Sequence, residues 1–257
     1  MAKKIAIVTG ASSGLGKEFL KALLPDSAEF DEIWIIARRL EKLTEAAAEC
    51  GVSSGKVKPI SMDLTEKTAY DELDNMLRDA DVEVRVLINN AGCGVLGNVA
   101  DMPVDGQIRM TDLNVRALTA VATIVVKYMH SGSYIINTCS IASFAPNPRM
   151  TVYSSTKAYV LSFSKGLHVE LKPKGINVLA VCPSPMRTEF LDIAGISGGK
   201  SKAFETLPYC DPQMVAINAI KYAKKGKCVY TPRLFYKFYR ILAKILPHNF
   251  IMKISKT

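Results

Sequence analysis

The stretch Lys4-Ile5-Ala6-Ile7-Val8-Thr9-Gly10-Ala11-Ser12-Ser13-Gly14-Leu15-Gly16 decides how the rest of the chain is read. Residues 4–9 form a short apolar run with several β-branched side chains, consistent with a strand buried on both faces of a parallel sheet. Three glycines follow, and then the helical pattern Lys17–Leu24. Strand, glycine turn and helix in that order form a resting place for a pyrophosphate. Glycine lets the backbone come close, and the helix N-terminus presents unpaired N–H groups with a positive partial charge. The spacing is G-x-x-x-G-x-G, not the G-x-G-x-x-G dinucleotide pattern. A tight strand-to-helix turn without a ligand is the plainer alternative.

Strand-like runs recur at 32–37, 57–61, 84–88, 133–138 and 176–181, with helical patterns between them, and a last short one falls near 228–231. No repeat, linker or change of composition interrupts them before residue 190. That alternation predicts one α/β domain over residues 1–257: a doubly wound parallel sheet of about seven strands with helices on both faces.

Chemistry-bearing residues gather at the carboxyl ends of these strands, where ligands bind in open α/β sheets. The second strand ends in Arg38-Arg39, about 20 residues past the glycines, where an acidic residue would hold the ribose hydroxyls of NAD. Arginine there suits the 2′-phosphate of NADP through charge-assisted hydrogen bonds, and Arg38 is the preferred candidate. Two solvated arginines opening the helix Leu40–Cys50 are the alternative. Asp63-Leu64 follow the third strand and suit the adenine edge, but Asp63 equally suits the N-cap of a helix over Thr65–Arg78. Asn89-Asn90-Ala91-Gly92 follow the fourth strand and place amides and open backbone at the same edge, unless they only tie strands together. A long helical stretch of about 104–130 carries Asn114 in apolar surroundings, where a buried amide needs partners and can loosen the helix and hold a water.

Tyr153-Ser154-Ser155-Thr156-Lys157 lies on a helix predicted from about Val152 to Leu171. Residues four apart share a helix face, so a phenol and an ammonium stand side by side. The cation is expected to lower the tyrosine pKa from about 10 toward neutrality, which makes the hydroxyl a proton donor and acceptor for a substrate oxygen. Alone, such a pair is more often a solvated helix face.

Composition narrows the classes. The chain has 257 residues, 49% hydrophobic, enough for a substantial core. No run approaches the ~20 apolar residues of a membrane span, and Met1-Ala2-Lys3-Lys4 leads straight into a strand without a signal-peptide pattern. The six cysteines have no metal spacing, so reduced thiols in a cytoplasmic protein without a metal are expected, with Cys93 and Cys139 as packing residues. The net charge is +9, yet no basic stripe with interleaved aromatics marks a nucleic-acid surface. The excess gathers from Lys221 onward, which points to anionic membrane lipid or to an acidic substrate or carrier.

Residues 191–209 lack periodicity and contain Gly195, Gly198 and Gly199, as expected of a substrate lid. Asp211-Pro212 then open a helix. Arg233–Leu246 is amphipathic: Leu234, Phe235, Phe238, Ile241, Leu242, Ile245 and Leu246 share one face, and Arg233, Lys237, Arg240 and Lys244 the other. Packing on the chain's own core or a dimer partner is one reading. Peripheral contact with a membrane, or a wall for a greasy substrate, is the other.

Taken together, Thr9-Gly10-x3-Gly14-x-Gly16, Asn89-Asn90-Ala91-Gly92, Asn114, Ser140 and Tyr153-x3-Lys157 resemble the short-chain dehydrogenase/reductase family over about residues 3–190. The resemblance implies a Rossmann-type sheet with a nicotinamide cofactor, here NADP(H), across its carboxyl edge. It implies that Gly10, Ser12, Ser13, Gly14, Leu15 and Gly16, then Arg38, Arg39, Asp63 and Leu64, and then Asn90, Ala91 and Gly92, hold that cofactor. Pro183 and Thr188 are placed beside the nicotinamide, with Thr188 on its carboxamide. It implies that Tyr153 is the general acid of reduction and base of oxidation, and that Lys157 lowers its pKa and holds the nicotinamide ribose. Ser140 is implied to hydrogen-bond the substrate carbonyl, and Asn114 to position a relay water.

The chain departs from the family in having Ser184 after Pro183 where glycine is frequent, and in its basic C-terminal extension over residues 233–257. That extension resembles the tails of members acting on steroids, fatty acyl chains and other lipids. The resemblance implies a carbonyl reductase acting reversibly on a hydrophobic ketone or secondary alcohol such as a hydroxysteroid. A homodimer through two long helices is expected, with a tetramer as the alternative. A 3-oxoacyl thioester reductase served by an acidic carrier protein, and a catalytically idle NADP(H) sensor or membrane-surface protein, are the competing functions.

Overall fold

The computed structural model describes residues 2–50, 55–196 and 207–254. Seven parallel strands form one sheet in the order β3-β2-β1-β4-β5-β6-β7: β1 Lys3–Thr9, β2 Glu32–Ala37, β3 Val57–Ser61, β4 Val82–Asn89, β5 Tyr134–Thr138, β6 Asn177–Val181 and β7 Val229–Tyr230. The helices are α1 Gly14–Leu23, α2 Leu40–Glu49, α3 Thr68–Asp79, α4 Val104–Thr111, α5 Leu118–Val125, α6 Thr151–Leu171, α7 Glu189–Ile193, α8 Pro212–Lys224, α9 Leu234–Ile245 and α10 His248–Ile254. The doubly wound architecture expected from the alternation is the one observed.

Strand alternation builds two cores from one sheet. Ala6 and Val8 of β1 turn to the side where α1 and α8 contribute Phe19, Leu20, Leu23, Val215 and Ala219. Ile5 and Ile7 turn to the opposite side, against Leu73 and Leu77 of α3 and Val121 and Val125 of α5. Each of these strand side chains is fully buried. Burial of such a side chain contributes about 1.5–3 kcal/mol, which explains why the strands read as continuous apolar runs and not as alternating ones.

The chain order reverses between β1 and β4, the two central neighbours. The segments leaving their carboxyl ends diverge to opposite sides, and a crevice opens there. Three of the differences from the sequence reading have a bearing on the site. Helix α3 begins at Thr68, not Thr65, because Asp63 spends its Oδ1 on an Asx turn, accepting from Thr65 N at 3.0 Å and Thr65 Oγ1 at 2.7 Å. The long helix expected over 104–130 is broken by a π-helical stretch, Asp112–Ala117, centred on buried Asn114. Residues 189–193 are helical, although periodicity lapses from 191; of the expected lid, 197–206 lie outside the described residues.

Candidate active site

Thr9 closes β1, and its hydroxyl oxygen accepts from the backbone N–H groups of Asn90 at 2.9 Å and Ala91 at 3.0 Å. Asn90 reaches back with its amide nitrogen to the carbonyls of Thr9 and Gly10, at 3.2 and 3.3 Å, while its amide oxygen accepts from Thr138 Oγ1 at 3.1 Å. The carbonyl of Thr138 in turn accepts from Lys157 Nζ at 2.8 Å. One chain of hydrogen bonds therefore runs from the glycine turn through the crevice to the lysine of α6.

The glycine turn has no room for side chains. Gly10 sits at φ +67°, and a Cβ there would lie 2.8 Å from Ala91 Cα. A Cβ on Gly16 would run into the Gly10 carbonyl oxygen. Helix α1 begins at Gly14, directly after the turn, with no side-chain cap on the free N–H groups of its first turn.

Gly10, Ser12, Ser13, Gly14 and Leu15 line a cleft of about 750 Å³. Arg38, Arg39, Asp63 and Leu64 border it on one flank; Asn90, Ala91 and Gly92 form its floor. Ser140, Tyr153, Lys157, Pro183 and Thr188 complete that end. Gly16 lies beneath the turn and Asn114 behind the wall, so neither lines the cleft.

Tyr153 and Lys157 follow one another by one turn of α6 and are both buried, at 9% and 4% exposure. The ammonium lies 5.8 Å from the tyrosine ring centroid. Ser140 caps a short turn by accepting from Ala142 N at 3.1 Å, which leaves its proton free to be donated toward the Tyr153 phenol, with which it lines the same end of the cleft. Burial pushes that phenol up from its ordinary pKa, and the Ser140 hydroxyl only partly offsets it. Burial likewise pushes Lys157 down. The expected lowering of the phenol by the cation is therefore reversed: desolvation exceeds the help of a neighbouring charge that does not hydrogen-bond the phenol.

Asn114 uses its amide on protein. Its Oδ1 accepts from Cys93 N at 2.9 Å, and its Nδ2 donates to Cys93 O at 2.8 Å and to Thr156 Oγ1 at 3.0 Å. These bonds pin the segment after Gly92 to α6. A Cβ on Gly92 would sit 3.0 Å from Asn114 Oδ1 and 3.4 Å from Lys157 Nζ, so both groups border the same small space. Cys139 is buried and donates to the Lys157 carbonyl at 3.1 Å; burial pushes the Cys93 thiol up, and neither has the exposed cationic setting of a reactive thiolate.

Three contacts were not visible in the sequence. Glu189, at the start of α7, accepts both Arg39 Nη atoms at 3.0 and 2.9 Å and Lys42 Nζ at 2.9 Å, which holds its carboxyl well below the usual range. Arg39 is thereby engaged, whereas the exposed Arg38 guanidinium has no hydrogen-bond or ion-pair partner among the described residues. Phe190 tilts over Tyr153 with ring centroids 5.8 Å apart, so α7 caps the tyrosine. Ser184 donates to the Pro208 carbonyl at 2.9 Å, and Tyr236 of α9 donates to the same oxygen at 3.1 Å. The serine that replaces the expected glycine thus fixes the segment returning toward α8. Partners some 25 to 150 residues apart leave no local pattern to find.

Comparison with known proteins agrees with this geometry. The chain matches the short chain dehydrogenase family over residues 4–194, and it belongs to that family. An uncharacterized oxidoreductase of Staphylococcus aureus strain MRSA252 is 33% identical over 187 residues, 72% of this chain and 79% of its relative. A short-chain dehydrogenase from Sphingobium yanoikuyae, solved in complex with NADPH, has a TM-score of 0.79 at 29% identity, covering 98% of this chain and 95% of the other. A family member from Burkholderia phymatum, solved in complex with NAD, has a TM-score of 0.80 at 18% identity, covering 100% and 96%.

The Thr9 hydroxyl serves two N–H groups at once, so Thr9→Val should destabilise the chain by about 1–3 kcal/mol in urea unfolding. Thr9→Ser, which keeps the oxygen, should stay close to the parent. A valine variant as stable as the parent would remove the Thr9 bonds from this account.

Proposed function

We propose that this chain is an NADP(H)-dependent oxidoreductase that interconverts a ketone and a secondary alcohol on a hydrophobic substrate, most simply one of steroid or lipid-like character. The observation that carries the reading is the convergence of Ser140, Tyr153 and Lys157 at one end of a cleft whose outer part is apolar. Ile141, Met150, Phe190, Ile196, Tyr236 and Tyr239 border that part. The other end fits a dinucleotide: the glycine turn admits no Cβ at Gly10 or Gly16, and Arg38 has a guanidinium to spare. The Sphingobium relative holds NADPH and the more distant Burkholderia one NAD, so family membership leaves the choice to the residues at Arg38 and Arg39.

Bound nicotinamide would supply the hydride. In this reading Arg38 holds the 2′-phosphate, the turn from Gly10 to Gly16 the pyrophosphate, and Lys157 and Thr188 the nicotinamide half. Ser140 donates to the substrate carbonyl oxygen and strengthens its hold as negative charge grows there. Tyr153 passes its phenolic proton to that oxygen in reduction and takes it back in oxidation. Lys157, fixed by the Thr138 carbonyl, stabilises the phenolate left behind. A water in the space shared by Lys157 Nζ and Asn114 Oδ1 would return the proton.

Three outcomes test the proposal. NADPH should protect the protein against heat unfolding far more than NADH. Arg38→Ala should lose about 10–100-fold in NADPH affinity and abolish the difference; equal protection by both cofactors in the parent would leave Arg38 merely solvated.

Tyr153→Phe should lower kcat for ketone reduction by at least about 10²–10⁴-fold while NADPH binding stays near normal. An active phenylalanine variant would sink the mechanism.

The raised phenol sets the sign of the pH dependence. The acid form persists past its ordinary limit, so reduction should stay flat between about pH 6 and 9. Oxidation needs the phenolate and should rise over the same interval. A reduction rate that falls between pH 7 and 8 (roughly two units below an ordinary phenol) would contradict the burial of Tyr153.

A further inference from the structure

The net positive charge of this chain comes from its C-terminal part. Residues 212–257 hold ten of the 33 Lys and Arg and none of the 24 Asp and Glu; residues 1–211, with 23 and 24, are close to neutral. Helix α9 lies in the middle of that acid-free region.

The apolar stripe of α9 does not face the protein. Leu234, Phe238, Ile241 and Ile245 are 80%, 62%, 53% and 72% exposed. At 3.6 residues per turn these four fall within an arc of about 60° along a helix about 18 Å long. Phe250 of α10 is also exposed. The face turned inward is formed by Tyr236, Ala243 and Tyr239, packed near Phe144 and the cleft. Arg240 is held at the inner side by Thr231 Oγ1 at 3.1 Å. Lys237 and Lys244 fall on one shoulder of the exposed stripe. Of the seven residues of the apolar face, Leu242 and Leu246 are partly buried and Leu246 meets the core, but the other five stay exposed, so packing on the chain's own core does not account for the stripe.

We infer that α9, with α10, is a docking surface for an anionic lipid membrane, lying in the interface with Leu234, Phe238, Ile241 and Ile245 among the acyl chains and Lys237 and Lys244 reaching the phosphates. A narrow apolar stripe with lysine on its shoulder, in a stretch of chain that carries Lys and Arg but no Asp or Glu, is the pattern of a helix that lies in a membrane surface. A second copy of the chain fits the stripe poorly, because a two-fold contact would bring Lys237 and Lys244 of both copies together with no acid in either tail to receive them. An acidic protein would answer the charge but would need its own apolar groove for four large side chains in a row. Docking does not depend on the reaction proposed above. If that reaction holds, Phe235 matters further, since it is exposed beside the stripe and also borders the cleft. The mouth of the cleft then opens at the lipid surface.

The test uses the full chain and sedimentation with vesicles of phosphatidylcholine alone or mixed with phosphatidylserine. The protein should sediment with the mixed vesicles, release as salt rises, and ignore the neutral ones. Each lysine near an anionic surface is worth about a five-fold factor in partitioning, so Lys237→Glu/Lys244→Glu should lower binding by at least about 25-fold. Phe238→Ser/Ile241→Ser should abolish it. The variants change positions that are exposed or, at Lys237, partly exposed, and unaltered circular dichroism and unfolding midpoint would verify that they fold. Failure to bind mixed vesicles overturns the inference. So does equal binding to neutral ones, or a vesicle-free dimer that dissociates in Phe238→Ser/Ile241→Ser and thereby names a second copy as the occupant. Binding of an isolated acyl carrier protein through Lys237 and Lys244, without vesicle binding, would assign the surface to an acidic protein partner instead.

Discussion

Everything at the carboxyl edge of the sheet depends on how the chain is held apart where β1 and β4 diverge. Parallel neighbours that send their connections to opposite faces leave backbone N–H groups without ladder partners. Here the Thr9 hydroxyl receives two of them, from Asn90 and Ala91, and Asn90 returns the tie to Gly10. The same amide accepts Thr138, whose carbonyl receives Lys157. The floor of the cofactor end and the position of the ammonium are thus one connected structure. The glycines are required by that closeness: the carbonyl of Gly10 lies where any side chain on Gly16 would go.

Much of this was legible in the sequence because the governing constraints are local. A buried parallel strand must be apolar throughout, a turn with no room must be glycine, and Tyr153 and Lys157 must share a face when a helix covers both. The strand ends were found within a residue or two for the same reason. What escaped was set by contacts far apart in the chain. Glu189 meets Arg39 across 150 residues, and nothing near either one marks the pairing. The start of α3 was misjudged because Asp63 has two ways to satisfy a backbone N–H and chose the turn over the helix cap. The pKa of Tyr153 shifts opposite to the expectation because a sequence shows which charges are neighbours but not how much water has been removed.

Helix α9 illustrates a further limit. An amphipathic pattern states that two faces differ, not which one the fold turns inward. The pattern of α9 left packing on the core and contact with a membrane or substrate equally open, and in the structure most of the apolar face is outside. The reason lies in what the inner face must reach. It crosses the carbonyl of Pro208 and the open end of the cleft, and a polar acceptor there cannot be left against Leu or Ile. Tyr236 meets that requirement with its hydroxyl and buries its ring. Ser184 meets the same carbonyl from the sheet side. A glycine at 184 would leave the tyrosine as the only side-chain donor to that oxygen among the bonds described, so the departure at 184 and the presence of α9 are physically linked.

That linkage bears on how the outer and inner faces of α9 act together. Its inner face is tied through Pro208 to the segment that returns from the cleft, and Phe190 and Glu189 of α7 close the same region from the other side. Whatever presses on Phe238 and Ile241 therefore presses on a helix whose opposite side borders the Tyr153 end of the cleft. A stripe buried in lipid would hold α9 at a fixed depth, and with it Tyr236 and Tyr239. The acid-free tail fits that arrangement, since one carboxylate beside Lys237 or Lys244 would form a local ion pair and weaken the pull of an anionic surface. The absence of any Asp or Glu after Asp211 is in this sense part of the same design as the outward stripe.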